Sequence, residues 1–243
     1  MNEHPTDATP PAVKAVLFDL DDTLWAIEPV LLRAENVLYE WLRRHAPRVT
    51  AQHTIATLRE KRMALMRTDP VYQIDLYRLR HQALTDVFGE TGADHGLVDE
   101  AMAVFSAARS TVDLFGDVEP GLQALGRDYL LGSVSNGFAD LDRIGLTGHF
   151  GVSLAAHRFG RAKPDGAIFH AACEALGVRP AEAVHVGDDL VLDVLGAQQA
   201  GLRAVWMNRF DRPLAGGFAP DAICGDLHQL RQWLTALHVS PDA

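Results

Sequence analysis

The chain has 243 residues, 48% hydrophobic and 22% charged, an ordinary globular composition that excludes a wholly disordered or collagen-like polymer. Its formal net charge of −10 repels nucleic acid and anionic lipid unless one face runs against the total. Two cysteines, Cys173 and Cys224, are too few for a disulfide framework and suit a reducing cytoplasm, and no apolar run reaches the roughly 18 residues of a membrane span.

Residues 1–11 have neither the basic nor the apolar region of a signal peptide and read as a disordered tail. The run 13–19 is apolar on both faces, as in a central parallel strand, and stops in acid at Asp19, Asp21 and Asp22. Apolar residues then recur at helical spacing over 28–44, 51–67, 71–88 and 97–112, with Asp69 and Asp94 as N-cap signals and Gly89 and Gly92 as stops. Strand and helix alternate afterwards. Strands are expected at 129–134, 152–155, 183–186, 203–207 and 221–224, and helices at 120–125, 139–144, 165–176, 190–200 and 227–237.

This order predicts an α/β fold, a Rossmann-like doubly wound parallel sheet with an all-helical domain inserted after its first strand. The expected core is 12–25 and 114–243, and the helical domain is 26–113. The links near 25–29 and 110–117 are the expected hinges. Residues 25–115 hold 11 basic and 12 acidic residues, so most of the net charge lies on the core. The basic stretch 58–67 reads as a solvated helix face, or as a surface that attracts an anionic substrate.

Ligands of open α/β sheets bind beyond the carboxyl ends of the strands. Three of the expected strands end there in polar clusters: Asp19/Asp21/Asp22, Ser135/Asn136 and Asp188/Asp189. Bringing these carboxylates together unaided is costly, and a divalent cation removes the cost. Oxygen ligands suit Mg²⁺, and no Cys/His spacing for zinc occurs. The chain has only three lysines, Lys14, Lys61 and Lys163, and Lys163 stands in a loop between strand and helix, where it is either a needed point charge or a plain surface residue. Neither a P-loop nor a G-x-G-x-x-G fingerprint is present. Cys173 reads as a core thiol.

Four ordered segments, Asp19-Leu20-Asp21-Asp22-Thr23-Leu24, Val134-Ser135-Asn136-Gly137, Lys163-Pro164-Asp165 and Gly187-Asp188-Asp189-Leu190-Val191-Leu192-Asp193, resemble the motifs of the haloacid dehalogenase superfamily. The helical insertion is similar to the cap of the group with all-helical caps. The resemblance implies Asp19 as nucleophile, forming an aspartyl phosphate, and Asp21 as general acid and base. It implies Mg²⁺ held by Asp19, the carbonyl of Asp21 and Asp188, and phosphoryl oxygens held by Ser135, Asn136 and Gly137. Lys163 would balance charge, Asp193 would support the metal surroundings, Asp22 would serve the loop, and Asp189 would cap the following helix.

An alkoxide leaving group needs a proton and a halide does not. Family dehalogenases lack an aspartate at the position of Asp21, so the resemblance points to a phosphatase for a small-molecule phosphate ester, working as a monomer or homodimer. A phosphomutase, a 2-haloacid dehalogenase and a non-catalytic phospho-accepting module are the alternatives. Residues 29–35, 72–80 and 185–189 are similar to bacterial phosphatases of flavin mononucleotide and of the pyrimidine ribityl phosphate. On one helix Arg78 and Arg80 point in different directions, so at most one reaches the site.

Overall fold

The computed structural model describes residues 11–238, so nearly all of the expected tail lies outside the described residues. Six strands, β1 (Ala15–Phe18), β2 (Leu130–Ser135), β3 (Val152–Ala155), β4 (Ala183–Gly187), β5 (Arg203–Met207) and β6 (Ala222–Cys224), form one sheet in the order β3-β2-β1-β4-β5-β6. Every pairing is parallel. The order reverses at β1, between β2 and β4, which opens a crevice at the carboxyl ends of these three strands.

Between β1 and β2 the chain is helical: α1 (Ile27–His45), α2 (Pro47–Gln52), α3 (Ile55–Met66), α4 (Val71–Ile74), α5 (Leu76–Thr91) and α6 (Val98–Arg109). Leu38 and Leu42 of α1, Leu84 and Phe88 of α5, and Met102 and Phe105 of α6 form a buried cluster of their own. Two expected helices are broken where a side chain offers the backbone a better start. Thr54 and Thr57 exchange backbone and hydroxyl hydrogen bonds and begin α3, and the Asp75 carboxylate accepts from the Arg78 amide at 2.8 Å and begins α5. Gly92, at φ 65° and one of the two expected stops, ends α5, and the other, Gly89, lies within the helix. The basic stretch of α3 is spent on ion pairs, Arg59 and Arg62 with Glu35 and Lys61 with Glu90.

The two links between insert and core are paired with each other. Trp25, fully buried, bridges Leu114, and the Phe115 amide donates to the Leu24 carbonyl at 3.0 Å. Asp22, at φ 56°, accepts from the Ile27 amide at 2.9 Å and so serves the start of α1.

Helices cover both faces of the sheet. On one face α7 (Val118–Leu125) is joined further along the chain by the single turn α8 (Leu141–Ile144), and a second single turn, α9 (Ala156–Phe159), directly follows β3. On the other lie α10 (Gly166–Ala175) and a helix that is π-helical over Leu190–Leu195 before continuing as α11 (Gly196–Gln199). The last helix, α12 (Leu227–His238), returns to α7. Alternation along β1 divides the core: Val16 and Phe18 pack with Leu122, Leu227 and Leu230, whereas Ala15 and Leu17 pack with Phe169, Val194 and Trp206. No helix among the described residues is long and apolar enough to cross a membrane.

A Cβ added to Gly121 of α7 would lie 2.6 Å from the Leu227 Cβ. Gly121→Ala therefore overpacks the α7–α12 contact and is expected to cost about 1–3 kcal/mol. The urea midpoint should fall with an unchanged m-value, and an unmoved midpoint contradicts this packing.

Candidate active site

Asp19 extends β1 by one residue, its amide donating to the Val186 carbonyl at 2.8 Å. The Lys163 ammonium stands between two carboxylates, 2.6 Å from Asp19 Oδ1 and 2.6 Å from Asp193 Oδ1. All three residues are buried, at 7%, 4% and 1% exposure for Asp19, Lys163 and Asp193. Asp193 is used on both oxygens: Oδ1 also meets His185 Nε2 at 2.8 Å, and Oδ2 accepts from the Asp189 amide at 3.0 Å. Burial opposes the charge on Lys163, but the two carboxylates more than offset it and raise its pKa. Burial would also raise Asp193, and Lys163 and His185 hold it well below the usual range. For Asp19, burial prevails over Lys163 and raises the carboxyl.

Two glycines permit this approach. A Cβ on Gly187 would fall 2.2 Å from the Asp193 Cγ, and one on Gly196 would fall 2.9 Å from the Pro164 backbone. Asp189 caps the helix that presents Asp193, accepting from the Val191 and Leu192 amides at 2.8 Å each.

The segment after β2 is fastened to Lys163. The Asn136 side chain accepts from the Lys163 amide at 2.8 Å and donates to its carbonyl at 3.0 Å. The Ser135 hydroxyl accepts from the Gly137 amide at 3.0 Å. A Cβ on Gly137 would come within 2.9 Å of Asp21 Oδ2, so this loop and Asp21 are adjacent.

Asp21 is tied to the helical insert. Its carboxylate accepts from Trp25 Nε1 at 2.8 Å and from Arg109 Nη2 at 2.7 and 2.5 Å. Arg109 ends α6 and is 3% exposed. Sequence reasoning missed it, because no local pattern signals a partner 88 positions away. Asp188 closes the group. Its carboxylate pairs with Arg212 at 2.9 Å, its carbonyl accepts from Trp206 Nε1 at 2.8 Å, and burial pushes its carboxyl up to about 6 against the pull of Arg212.

Carboxylate oxygens of Asp19, Asp188 and Asp193 lie within 4.8 Å of one another. This all-oxygen set, destabilised by burial at Asp19 and Asp188, fits Mg²⁺. Asp19 and Asp188 are two of the expected ligands and Asp193 stands beside them; the Asp21 side chain is taken up by Arg109 and Trp25, and the ligand expected of Asp21 is its carbonyl.

The haloacid dehalogenase-like hydrolase family matches residues 13–201. The chain belongs to this family. It is 32% identical over 200 residues to the 5-amino-6-(5-phospho-D-ribitylamino)uracil phosphatase of Escherichia coli strain K12, a match covering 80% of this chain and 83% of that one. Among solved structures, a 2-haloacid dehalogenase from Pseudomonas syringae pv. Tomato DC3000 is 37% identical, with a TM-score of 0.86 over 92% of this chain and 99% of the other. A phosphatase of the family from Thermococcus onnurineus is 30% identical, with a TM-score of 0.68 over 91% and 98% of the two chains.

Asp193→Asn removes the charge shared by Lys163 and His185. Breaking this buried pair is expected to cost about 3 kcal/mol. Urea unfolding at pH 7 checks it, and wild-type stability in the variant contradicts the structural dependence on Asp193.

Proposed function

We propose that this phosphoric monoester hydrolase is Mg²⁺-dependent, passes the phosphoryl group through Asp19, and acts on a small ribityl phosphate such as flavin mononucleotide or the pyrimidine ribityl phosphate. The observation that carries the reading is the Asp19 oxygen held 2.6 Å from the Lys163 ammonium, beside Asp188 and the 135–137 loop, in the crevice where the strand order reverses. The ribityl preference is supported by the Escherichia coli relative. We place the enzyme in the cytoplasm, as a monomer or homodimer. Its two free, buried thiols suit a reducing compartment.

Asp19 attacks phosphorus while the bond from phosphorus to the ester oxygen breaks. The Asp21 carboxyl gives its proton to the departing alkoxide. Water then attacks the aspartyl phosphate, Asp21 takes its proton back, and the Asp19–phosphorus bond breaks to release phosphate. The Ser135 hydroxyl and the backbone amide of Asn136 hold phosphoryl oxygens, Gly137 steadies the Ser135 oxygen through its amide, and Lys163 balances charge between Asp19 and the phosphoryl group. The Asp19 and Asp188 carboxylates and the Asp21 carbonyl would hold Mg²⁺, which would supply positive charge against the phosphoryl oxygens. The helical insert acts as a cap that excludes water.

The dehalogenase reading has a 37%-identical structural neighbour in its favour. Against it stands Asp21, a proton donor that a halide leaving group has no use for, oriented by both Arg109 and Trp25. Assays of phosphate and halide release separate the two readings.

Asp19→Asn is expected to abolish phosphate release with the fold intact. Asp21→Asn should reduce turnover of alkyl phosphates by about 10²–10⁴-fold and that of p-nitrophenyl phosphate much less, since p-nitrophenolate needs little protonation. Equal losses on both substrates would sink the acid role of Asp21. Chelation by EDTA should stop turnover and added Mg²⁺ should restore it, and full activity in EDTA would remove the metal from the mechanism.

A further inference from the structure

Among the described residues, Lys163 pairs with Asp19 and Asp193, Arg109 with Asp21, and Arg212 with Asp188. The Lys163 and Arg109 side chains are buried, at 2% and 4% exposure, whereas that of Arg212 is 43% exposed. Arg212 Nη2 donates to Asp188 Oδ2 at 2.9 Å and to the carbonyl of the same residue at 3.1 Å. Lys163 is locked between its carboxylates. Arg212 faces solvent on one side, and its side chain can turn into water at little cost, because a half-exposed ion pair is weak.

Its backbone has no such freedom. In the loop after β5 the Asn208 side chain accepts from the Arg212 amide and donates to the Arg212 carbonyl, each at 2.8 Å. Asp211, between them, stands at φ 51°, in the left-handed region that aspartate enters more readily than most residues. The base of the turn is fixed as well. Arg209 donates to the Thr23 carbonyl at 3.0 Å and to the Asp117 carboxylate at 2.8 and 2.9 Å. Arg212 is therefore held within reach of Asp188 on a firm stem, and only its side chain is free to leave.

Asp188 needs a cation. It converges with Asp19 and Asp193, and the charge of Asp22 also acts on it. Carboxylates gathered in this way repel one another unless positive charge accompanies them. Arg212 and a divalent metal both supply that charge, and they supply it to the same group. A guanidinium on the carboxylate weakens its pull on a dication twice over, by the oxygen it occupies and by the like charge it brings.

We infer that Arg212 sets the affinity of the site for Mg²⁺: its guanidinium competes with the metal for the Asp188 carboxylate, covering Asp188 in enzyme stripped of metal and yielding it when Mg²⁺ binds. The inference rests on the reading of Asp19 and Asp188 as Mg²⁺ ligands. To that reading it adds a residue that works against the metal and keeps the acids compatible with the fold in its absence.

Calorimetric titration of chelator-treated protein with magnesium chloride alone, without any ester, tests it. Arg212→Gln should tighten Mg²⁺ binding by about 5-fold, the equivalent of one partly exposed ion pair. Arg212→Lys keeps a charge that can reach Asp188 and should stay within about 2-fold of wild type. Thermal unfolding closes the cycle. In EDTA Arg212→Gln should melt below wild type, and saturating Mg²⁺ should narrow the gap, since a ligand that binds more tightly stabilises more. A residue that merely supported the loop would lower the melting temperature equally with and without Mg²⁺ and would leave binding unchanged or weaker, and that result overturns the inference. So does an equal tightening by Arg212→Gln and Arg212→Lys, which would remove charge from the effect. If wild type binds Mg²⁺, Asp188→Asn weakens it and Arg212→Gln changes nothing, the metal reading stands and this inference alone falls. If wild type and variants alike bind no Mg²⁺, both fall.

Discussion

Everything at the carboxyl edge of the sheet depends on one buried ammonium. Lys163 joins Asp19, which follows β1, to Asp193, which comes from the helix after β4. Neither carboxylate is cheap to bury alone, and the pair would repel without the cation between them. The surroundings serve that contact. Asn136 grips the lysine backbone from the β2 loop, His185 reaches Asp193 from within β4, and Gly187 and Gly196 clear the space the approach requires. The crevice is thus a network spanning three strands.

The helical insert shares in this arrangement through a second ion pair. Arg109 brings the end of α6 onto Asp21, and Trp25 fastens the same carboxylate from the first link. The orientation of Asp21 therefore reports the position of the insert. The groups that converge at the crevice are placed by the sheet, and the insert reaches them through Arg109.

Much of this was legible in the sequence, for identifiable reasons. The strands at 15–18 and 183–187 are buried on both faces and so read as apolar runs, interrupted in the second by His185 alone. The acids at their ends stand out because burial makes acids rare near such runs. The capping role of Asp189 followed from its place before a helical pattern. The breaks at Thr54 and Asp75 were hidden, since single side-chain hydrogen bonds overrode a periodicity that reads smoothly across them. Arg109 was invisible for another reason. It occupies the last turn of a helix, where a basic residue is expected on dipole grounds alone, and its partner is remote in the chain. Asp193 was placed as a support, and its tight convergence with Asp19 and Asp188 came only with the fold.

The pairing of the two links has a bearing on how such proteins diversify. Because Trp25 bridges Leu114 and both lie beside the Asp21–Arg109 contact, the insert is not a freely exchangeable module. A chimera that took its helices from a relative would have to import a matching residue at 109, or else re-anchor Asp21 from the sheet side. Recombination within the family is thereby channelled toward α2 to α4, since Tyr77 of α5 already packs on Phe138 beside the crevice.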